Sequence, residues 1–252
     1  MKPVILLALG LCCLFSCSEK QEVATQIPRG SGMAVPKVAA AHEFSTTAPY
    51  IEALLEGDHW LIYCQERALG TVSIRSVDQL KEILRDARGK LDVVGIEVRL
   101  LISVPAGARS SALSEIIRTS CSEGIADIFF LVTTSAPSSK TLAVSDAFYF
   151  PAREKSEFIT AKLTAADAIL IRKPRHPSPV EINLPQFDEF LAGTVAAASA
   201  RRLPIACTLT IEPGSSYQRL AELLSTLNEH GILQIMLDAP PGDNFGRDFE
   251  DP

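Results

Sequence analysis

Two stretches of this chain follow one design, and that repetition limits its fold more than any other feature. Val98 to Phe130 (VRLLISVPAGARSSALSEIIRTSCSEGIADIFF) and Ile205 to Leu237 (IACTLTIEPGSSYQRLAELLSTLNEHGILQIML) each read as strand, tight turn, amphipathic helix, glycine stop and strand. Identities fall at one spacing of 107 residues without gaps: Gly107 with Gly214, Leu113 with Leu220, Glu115 with Glu222, Thr119 with Thr226, Gly124 with Gly231, Ile125 with Ile232, and Ile128 with Ile235. Apolar matches alone arise by chance between two β-α-β segments. Glycines, turn and alternation matching together point to duplication.

The pattern extends upstream of each stretch. Tyr50–Leu55 and His59–Cys64 are β-prone runs around the turn signal Glu56-Gly57-Asp58. Val72 and Ile74 form a short extended piece, and Val77, Leu80, Ile83 and Leu84 line one face of a helix with Ser76 as N-cap. In the second half, Phe158–Leu163 and Ala168–Arg172 form the hairpin, Val180 and Ile182 the extended piece, and Leu184, Phe187, Phe190 and Leu191 the helix face. Ile96, Val98, Leu100, Ile102 and Val104 alternate with Glu97, Arg99, Leu101 and Ser103, which predicts a sheet covered on one side. The expected fold class is α+β: two tandem β-β-α-β-α-β modules, each with two helices on one face of a small sheet. The modules are expected over 50–133 and 157–239, with a Ser/Pro-rich connector at 134–156 and an acidic tail at 240–252. An added edge strand is expected at Ala147–Phe150.

The N-terminus reads as an address. Lys2 precedes an apolar run, Val4–Phe15, that is shorter than the ~20 residues a membrane-spanning helix needs and fits a secretory signal. It ends in Leu14-Phe15-Ser16-Cys17, which resembles the bacterial lipobox, whose cysteine thiol carries a diacylglyceryl group. Residues 1–16 are then a signal peptide, and Cys17 is the lipid-attachment site. Several acyl chains hold a protein stably on a membrane where one does not. Ser18, rather than Asp, after the anchor favours the outer membrane. Residues 17–49, polar and without periodicity, read as a flexible tether with a reach of about 30 Å.

Chemistry is sparse. A net charge of −6 argues against a nucleic-acid partner. His42, His59, His176 and His230 include no two at ligand spacing on one element, and no Cys pair has zinc spacing, so neither a metal nor a cofactor is expected. No G-x-S-x-G motif occurs, and Ser110-Ser111 and Ser215-Ser216 are explained as turn and helix-start residues. Cys207 takes the place of Leu100 on the apolar face of its strand and reads as a buried thiol. A bridge between Cys64 and Cys121 is conceivable from sequence. Arg172, Lys173 and Arg175 form a local basic loop, a candidate contact for an anionic surface.

Pro213, Tyr217, Leu220, Leu224, Gly231 and Ile232 lie on a pattern that resembles the periplasmic domain of the ExbD/TolR family: alternating strand, turn with tyrosine, amphipathic helix, Gly-Ile and a last strand. The first copy carries Ser110 at the tyrosine position. The resemblance implies a small interaction domain that pairs with a second one and contacts envelope proteins or peptidoglycan, with Pro213 and Tyr217 as candidate partner contacts. It also implies that two copies in one chain pair within the molecule. The family's transmembrane helix with its acidic residue has no counterpart here, since no Asp or Glu precedes Glu19, so ion translocation does not carry over.

The expected function is therefore that of a non-enzymatic, lipid-anchored envelope protein, facing the periplasm and accessory to transport or envelope integrity. The alternative is a small-ligand-binding protein or enzyme using the cleft between the modules, which lacks a convergent set of polar residues. A structural spacer is the third reading.

Overall fold

The computed structural model describes residues 32–43, 50–64, 67–92, 98–125, 127–135, 139–144, 157–172 and 178–238. The first module contains β1 (Tyr50–Glu56), β2 (His59–Cys64), β3 (Arg67–Ser73), α1 (Val77–Asp92), β4 (Arg99–Ser103), α2 (Ser111–Ser122), β5 (Asp127–Thr133) and β6 (Ser139–Val144). The second contains β7 (Glu157–Leu163), β8 (Ile169–Ile171), β9 (Val180–Ile182), α3 (Leu184–Arg201), β10 (Ile205–Ile211), α4 (Tyr217–Glu229) and β11 (Ile235–Asp238). The chain is α+β, two sheets with four described helices.

Both sheets have one plan. The order is β3-β2-β1-β4-β5-β6 in the first and β9-β8-β7-β10-β11 in the second. In each, a three-strand antiparallel meander comes first, and the next two strands lie parallel to its first strand and to each other. Parallel neighbours cannot be joined by a tight turn, so a helix must cross between them, and α2 and α4 do so. Register repeats as well: Ile51 pairs with Leu100 and Leu100 with Ile128, as Ile159 pairs with Cys207 and Cys207 with Ile235.

Local signals set the element ends. Gly57, at φ +58°, closes the first hairpin, and Gly124 and Gly231 stop α2 and α4 at φ +77° and +71°. Asn183 and Gln186 form a capping box at the start of α3. Alternate residues of the strands (Ile51, Ala53, Leu100, Ile102, Ile128 and Phe130) join Leu80 and Leu84 of α1 and Leu113 and Ile116 of α2 in one buried cluster. That cluster places both helices on one face of the sheet. It also runs on into the second module through Tyr217, Leu220 and Leu224. On the outer side, the Arg85 guanidinium grips both carboxylate oxygens of Glu123 at 2.9 Å, tying α1 to the end of α2.

The structure corrects the sequence reading in four places. Val72 of the short extended piece belongs to a full strand, β3, which ends at Ser73, and Val180–Ile182 forms β9, so each module starts with three strands rather than two. In RALGTVS, Val72 is the buried residue, so the strand lacks alternation and is held by pairing with β2. Second, the first sheet is covered on both faces near β4. Leu100, Leu101, Ile102 and Ser103 are all buried, and Leu101 packs with Tyr50, Leu131 and Val35 on the face away from the helices. Third, the expected connector supplies β6 at residues 139–144, whereas Ala147–Phe150 lies outside the described residues. Fourth, residues 32–43 of the expected tether are docked. Val35 and Val38 are buried, Lys37 bridges to Thr133, and His42 bridges to Thr141.

The two-sided cover has a measurable consequence. Leu101→Ala is expected to cost about 2–5 kcal/mol in chemical denaturation, as for Leu100→Ala, because both remove a fully buried side chain. A one-sided sheet would leave Leu101→Ala within about 0.5 kcal/mol of the parent.

Candidate functional site

The residues singled out around Pro213 and Tyr217 converge on the place where the two modules meet. At the end of β10 the chain turns through Pro213 and Gly214, whose φ of +104° a side chain rarely adopts. Ser216 then caps α4 by accepting a hydrogen bond from the Arg219 amide at 3.2 Å. The corresponding turn of the first module, Pro105 to Ser110, lies directly opposite. The Ser110 amide donates to the Ser215 carbonyl at 2.9 Å, and the Tyr217 amide donates to the Ala108 carbonyl at 3.0 Å. Between them, Arg109 and Ser216 form an antiparallel bridge.

These positions are equivalents in the duplication: 108 with 215, 109 with 216, and 110 with 217. Each bond is therefore the counterpart of the other under exchange of the modules. This is the geometry of an isologous two-fold contact, built inside one chain.

Side chains reinforce the joint. The Ser215 hydroxyl donates to the Glu212 carbonyl at 2.9 Å, and the Ser110 hydroxyl, 3.3 Å from the same carbonyl, donates to the Ser215 oxygen. This commitment leaves Ser110 making no side-chain cap at the start of α2. Lys162 forms an ion pair with Glu212, and the other Glu212 oxygen accepts from the Ala165 amide at 2.8 Å. Asp167 accepts from the Ser216 amide at 2.7 Å. The turn is thus held from beneath by its own module and from above by the other.

Tyr217 is 0% exposed, and its ring centroid lies 6.1 Å from that of Phe130 on β5. Its expected role as a contact for a separate partner is corrected: a side chain with no accessible surface touches only its own molecule, here the other module. Burial pushes the phenol well above its ordinary value, because the anion has no water to solvate it. The hydroxyl has no hydrogen-bond partner among the described residues. Pro213, by contrast, is exposed at the rim.

The other candidates are dispersed. Cys17, Lys173 and Arg175 lie outside the described residues, and Arg172 stands at the end of β8 with its amide donating to the Thr160 carbonyl. Cys64, Cys121 and Cys207 are all free thiols, and desolvation pushes Cys121 and Cys207 up to about 12. The His230 ring meets Asp188 at 2.7 Å, linking α4 to α3. Among the described residues, no three His, Cys, Asp or Glu side chains come together as a metal site would need, and no helix is long and apolar enough to cross a membrane.

One group was not legible in advance. No sequence motif singles out Gln218, Ser225 and Asn228 on α4. In the fold they contact the backbone of residues 37, 40 and 143. The available signal was that this part of the helix carries uncharged amides and a hydroxyl where a solvated face usually carries charge.

Comparison with known proteins adds little. No family model matches the chain, and no curated protein matches it. Among solved structures, a Bacteroides thetaiotaomicron VPI-5482 protein described as having an actin-like ATPase fold and unknown function is similar at 12% identity, over 81% of this chain and 95% of that one, with a TM-score of 0.23. The cytoplasmic domain of EpsL, an inner membrane component of the Vibrio cholerae type II secretion system, is similar at 9% identity, over 79% and 88%, with a TM-score of 0.17. Likeness of that degree carries no argument about fold or activity.

Two measurements test the joint. Tyr217→Phe removes an unpaired buried hydroxyl and is expected to leave stability unchanged or raise it by about 1 kcal/mol. Tyr217→Ala is expected to cost about 3–5 kcal/mol through the cavity it leaves. Acid titration tests Glu212, whose carboxyl Lys162 holds below the ordinary glutamate value. A depressed folded-state pKa contributes stability above the unfolded value, about 4.3, and loses it as pH falls through the folded value. Unfolding followed from pH 7 to pH 3 should therefore show a decline that Glu212→Gln makes shallower.

Proposed function

We propose that the protein is a lipid-anchored component of a bacterial cell envelope whose paired modules act by binding other macromolecules and not by catalysis. The observation that carries the proposal is the reciprocal pairing of equivalent backbone positions at the module joint. Two-fold pairing is the usual arrangement of identical interaction domains, and here covalent linkage makes it intramolecular. Linking partners replaces a concentration-dependent association with a local one of roughly millimolar effective concentration. A protein organised in this way presents a fixed pair of modules at any abundance.

The joint also weighs against a small-ligand site at its centre. The polar groups that converge there, the Ser110 and Ser215 hydroxyls and the Glu212 carbonyl, are bonded to one another. The ExbD/TolR resemblance supplies the class of partner, envelope proteins or peptidoglycan. The lipobox-like Leu14-Phe15-Ser16-Cys17 supplies the anchor, with the modules facing the periplasm. Ion translocation is not part of the proposal.

Metabolic labelling with a radioactive fatty acid in a producing bacterium tests the anchor. Label is expected on the parent and absent from Cys17→Ala; an unlabelled parent sinks the anchored reading. Crosslinking in intact cells tests the contact. Recovery of envelope proteins or peptidoglycan fragments is expected, and recovery of neither in cells that carry labelled protein overturns it.

A further inference from the structure

Residues 32–43 lie in a groove between the edge of the first sheet and helix α4 of the second module. The groove holds this arm through its backbone, two buried valines and an ion pair between Glu43 and Lys140. On the sheet side, the Val38 amide donates to the Thr133 carbonyl at 2.9 Å, and the Thr133 amide donates to the Pro36 carbonyl at 2.8 Å. His42 and Thr141 exchange both of their backbone bonds, at 2.9 and 2.8 Å, and the Ala106 amide donates to the Ala34 carbonyl at 2.8 Å.

On the helix side, side chains imitate a strand edge. The Gln218 amide group accepts from the Lys37 amide at 3.2 Å and donates to the Lys37 carbonyl at 2.7 Å. Ser225 treats Ala40 the same way, at 3.3 and 2.7 Å. One turn further on, Asn228 accepts from the Ala143 amide at 2.9 Å and donates to the Ala143 carbonyl at 3.0 Å, which holds the sheet edge against the helix. Glu222 accepts from the second side-chain N–H of Gln218 at 3.1 Å and so holds its amide in place.

Recognition of this kind reads an extended chain with little regard to its sequence. Selectivity comes chiefly from the two buried side chains, Val35 at 7% and Val38 at 5% exposure, with Met33 and Ala41 partly buried and Glu43 paired to Lys140 at 2.8 Å. Backbone pairing for affinity with a few side-chain sites for specificity is the design of strand-addition peptide sites. The arm precedes β1 and joins the first sheet through isolated bridges at Lys37 and His42, not as a strand of it. Such segments open locally at less cost than the fold as a whole.

We propose that the groove is a binding site for an extended peptide segment, apolar and valine-sized at two positions three residues apart, and that the arm is its exchangeable occupant. A partner protein presenting such a segment takes the arm's place. Because the arm leads back to Cys17, exchange would also alter how the modules are tethered. That last point rests on the anchored reading above; the groove itself does not.

The test uses the full chain. Val38→Asp places a charge in the buried site and is expected to release the arm while leaving every groove residue unchanged; Val38→Pro removes the amide that meets Thr133 and serves as an independent second variant. Hydrogen exchange over residues 32–43 reports release. Fluorescence anisotropy reports binding of a labelled synthetic peptide with the sequence of residues 32–43. Binding to the released chain is expected to be at least tenfold tighter than to the parent, and at least tenfold weaker again once Gln218→Ala and Ser225→Ala are added. A peptide with aspartate at both valine positions should not bind. Three results overturn the proposal: a released arm with no peptide binding, binding insensitive to Gln218 and Ser225, or an arm that stays protected in both variants. Each of these outcomes is independent of fatty-acid labelling at Cys17.

Discussion

Arg109 and Ser216, equivalent residues of a duplicated unit, face each other across a short antiparallel bridge, and the arrangement of the molecule follows from that contact. Because the bonds at the bridge are reciprocal, the two modules are related by an approximate two-fold axis at this point. Each backbone bond there contributes only about 0.5–1.5 kcal/mol. Its structural effect is larger than its energy. It fixes Tyr217 against Phe130, sets the start of α4, and lays the rest of that helix along the edge formed by β6 and the arm.

The same contact explains why the copies differ where they meet. Close approach of two backbones requires small side chains, which Ala108, Ser110 and Ser215 provide. An aromatic ring fits only where it turns into a core, as Tyr217 does toward Phe130. The first copy, with Ser110 at the equivalent position, sets its hydroxyl against the Ser215 hydroxyl and the Glu212 carbonyl instead. Divergence at a two-fold joint is thus a packing requirement, and it says nothing by itself about which module retains an ancestral partner. Beyond the joint the modules diverge again at their edges. β5 is followed by an antiparallel neighbour, β6, whose outer side meets α4 and the arm.

Much of the fold was legible because it is written in short-range patterns. Leu80 and Leu84, or Phe187 and Leu191, recur at helical spacing and are buried on one face. Gly124 and Gly231 end helices because their φ is positive. Strand β3 was not legible, since RALGTVS has no periodicity and exists by pairing with β2. The cover over Leu101 was not legible either, because a leucine at an expected solvent position gives no sign of what will lie on it. The candidate site divided in the same way. The turn at Pro213 and Tyr217 stood out as a local motif, but its neighbour across the joint, Arg109, comes from more than a hundred residues away.

Most of the elements, their repetition at one spacing and the α+β class are encoded locally, because periodicity, caps and turn chemistry act within a few residues. What the polar residues on and between those elements do was set by the assembled fold. Ser110, Ser215, Gln218, Ser225 and Asn228 carry no apolar signal, and each suits a solvated surface as well as a buried bond. Burial beside a backbone that arrives from a distant part of the chain turns them into the joint and the groove. That outcome depends on which surfaces meet, and no local pattern encodes it.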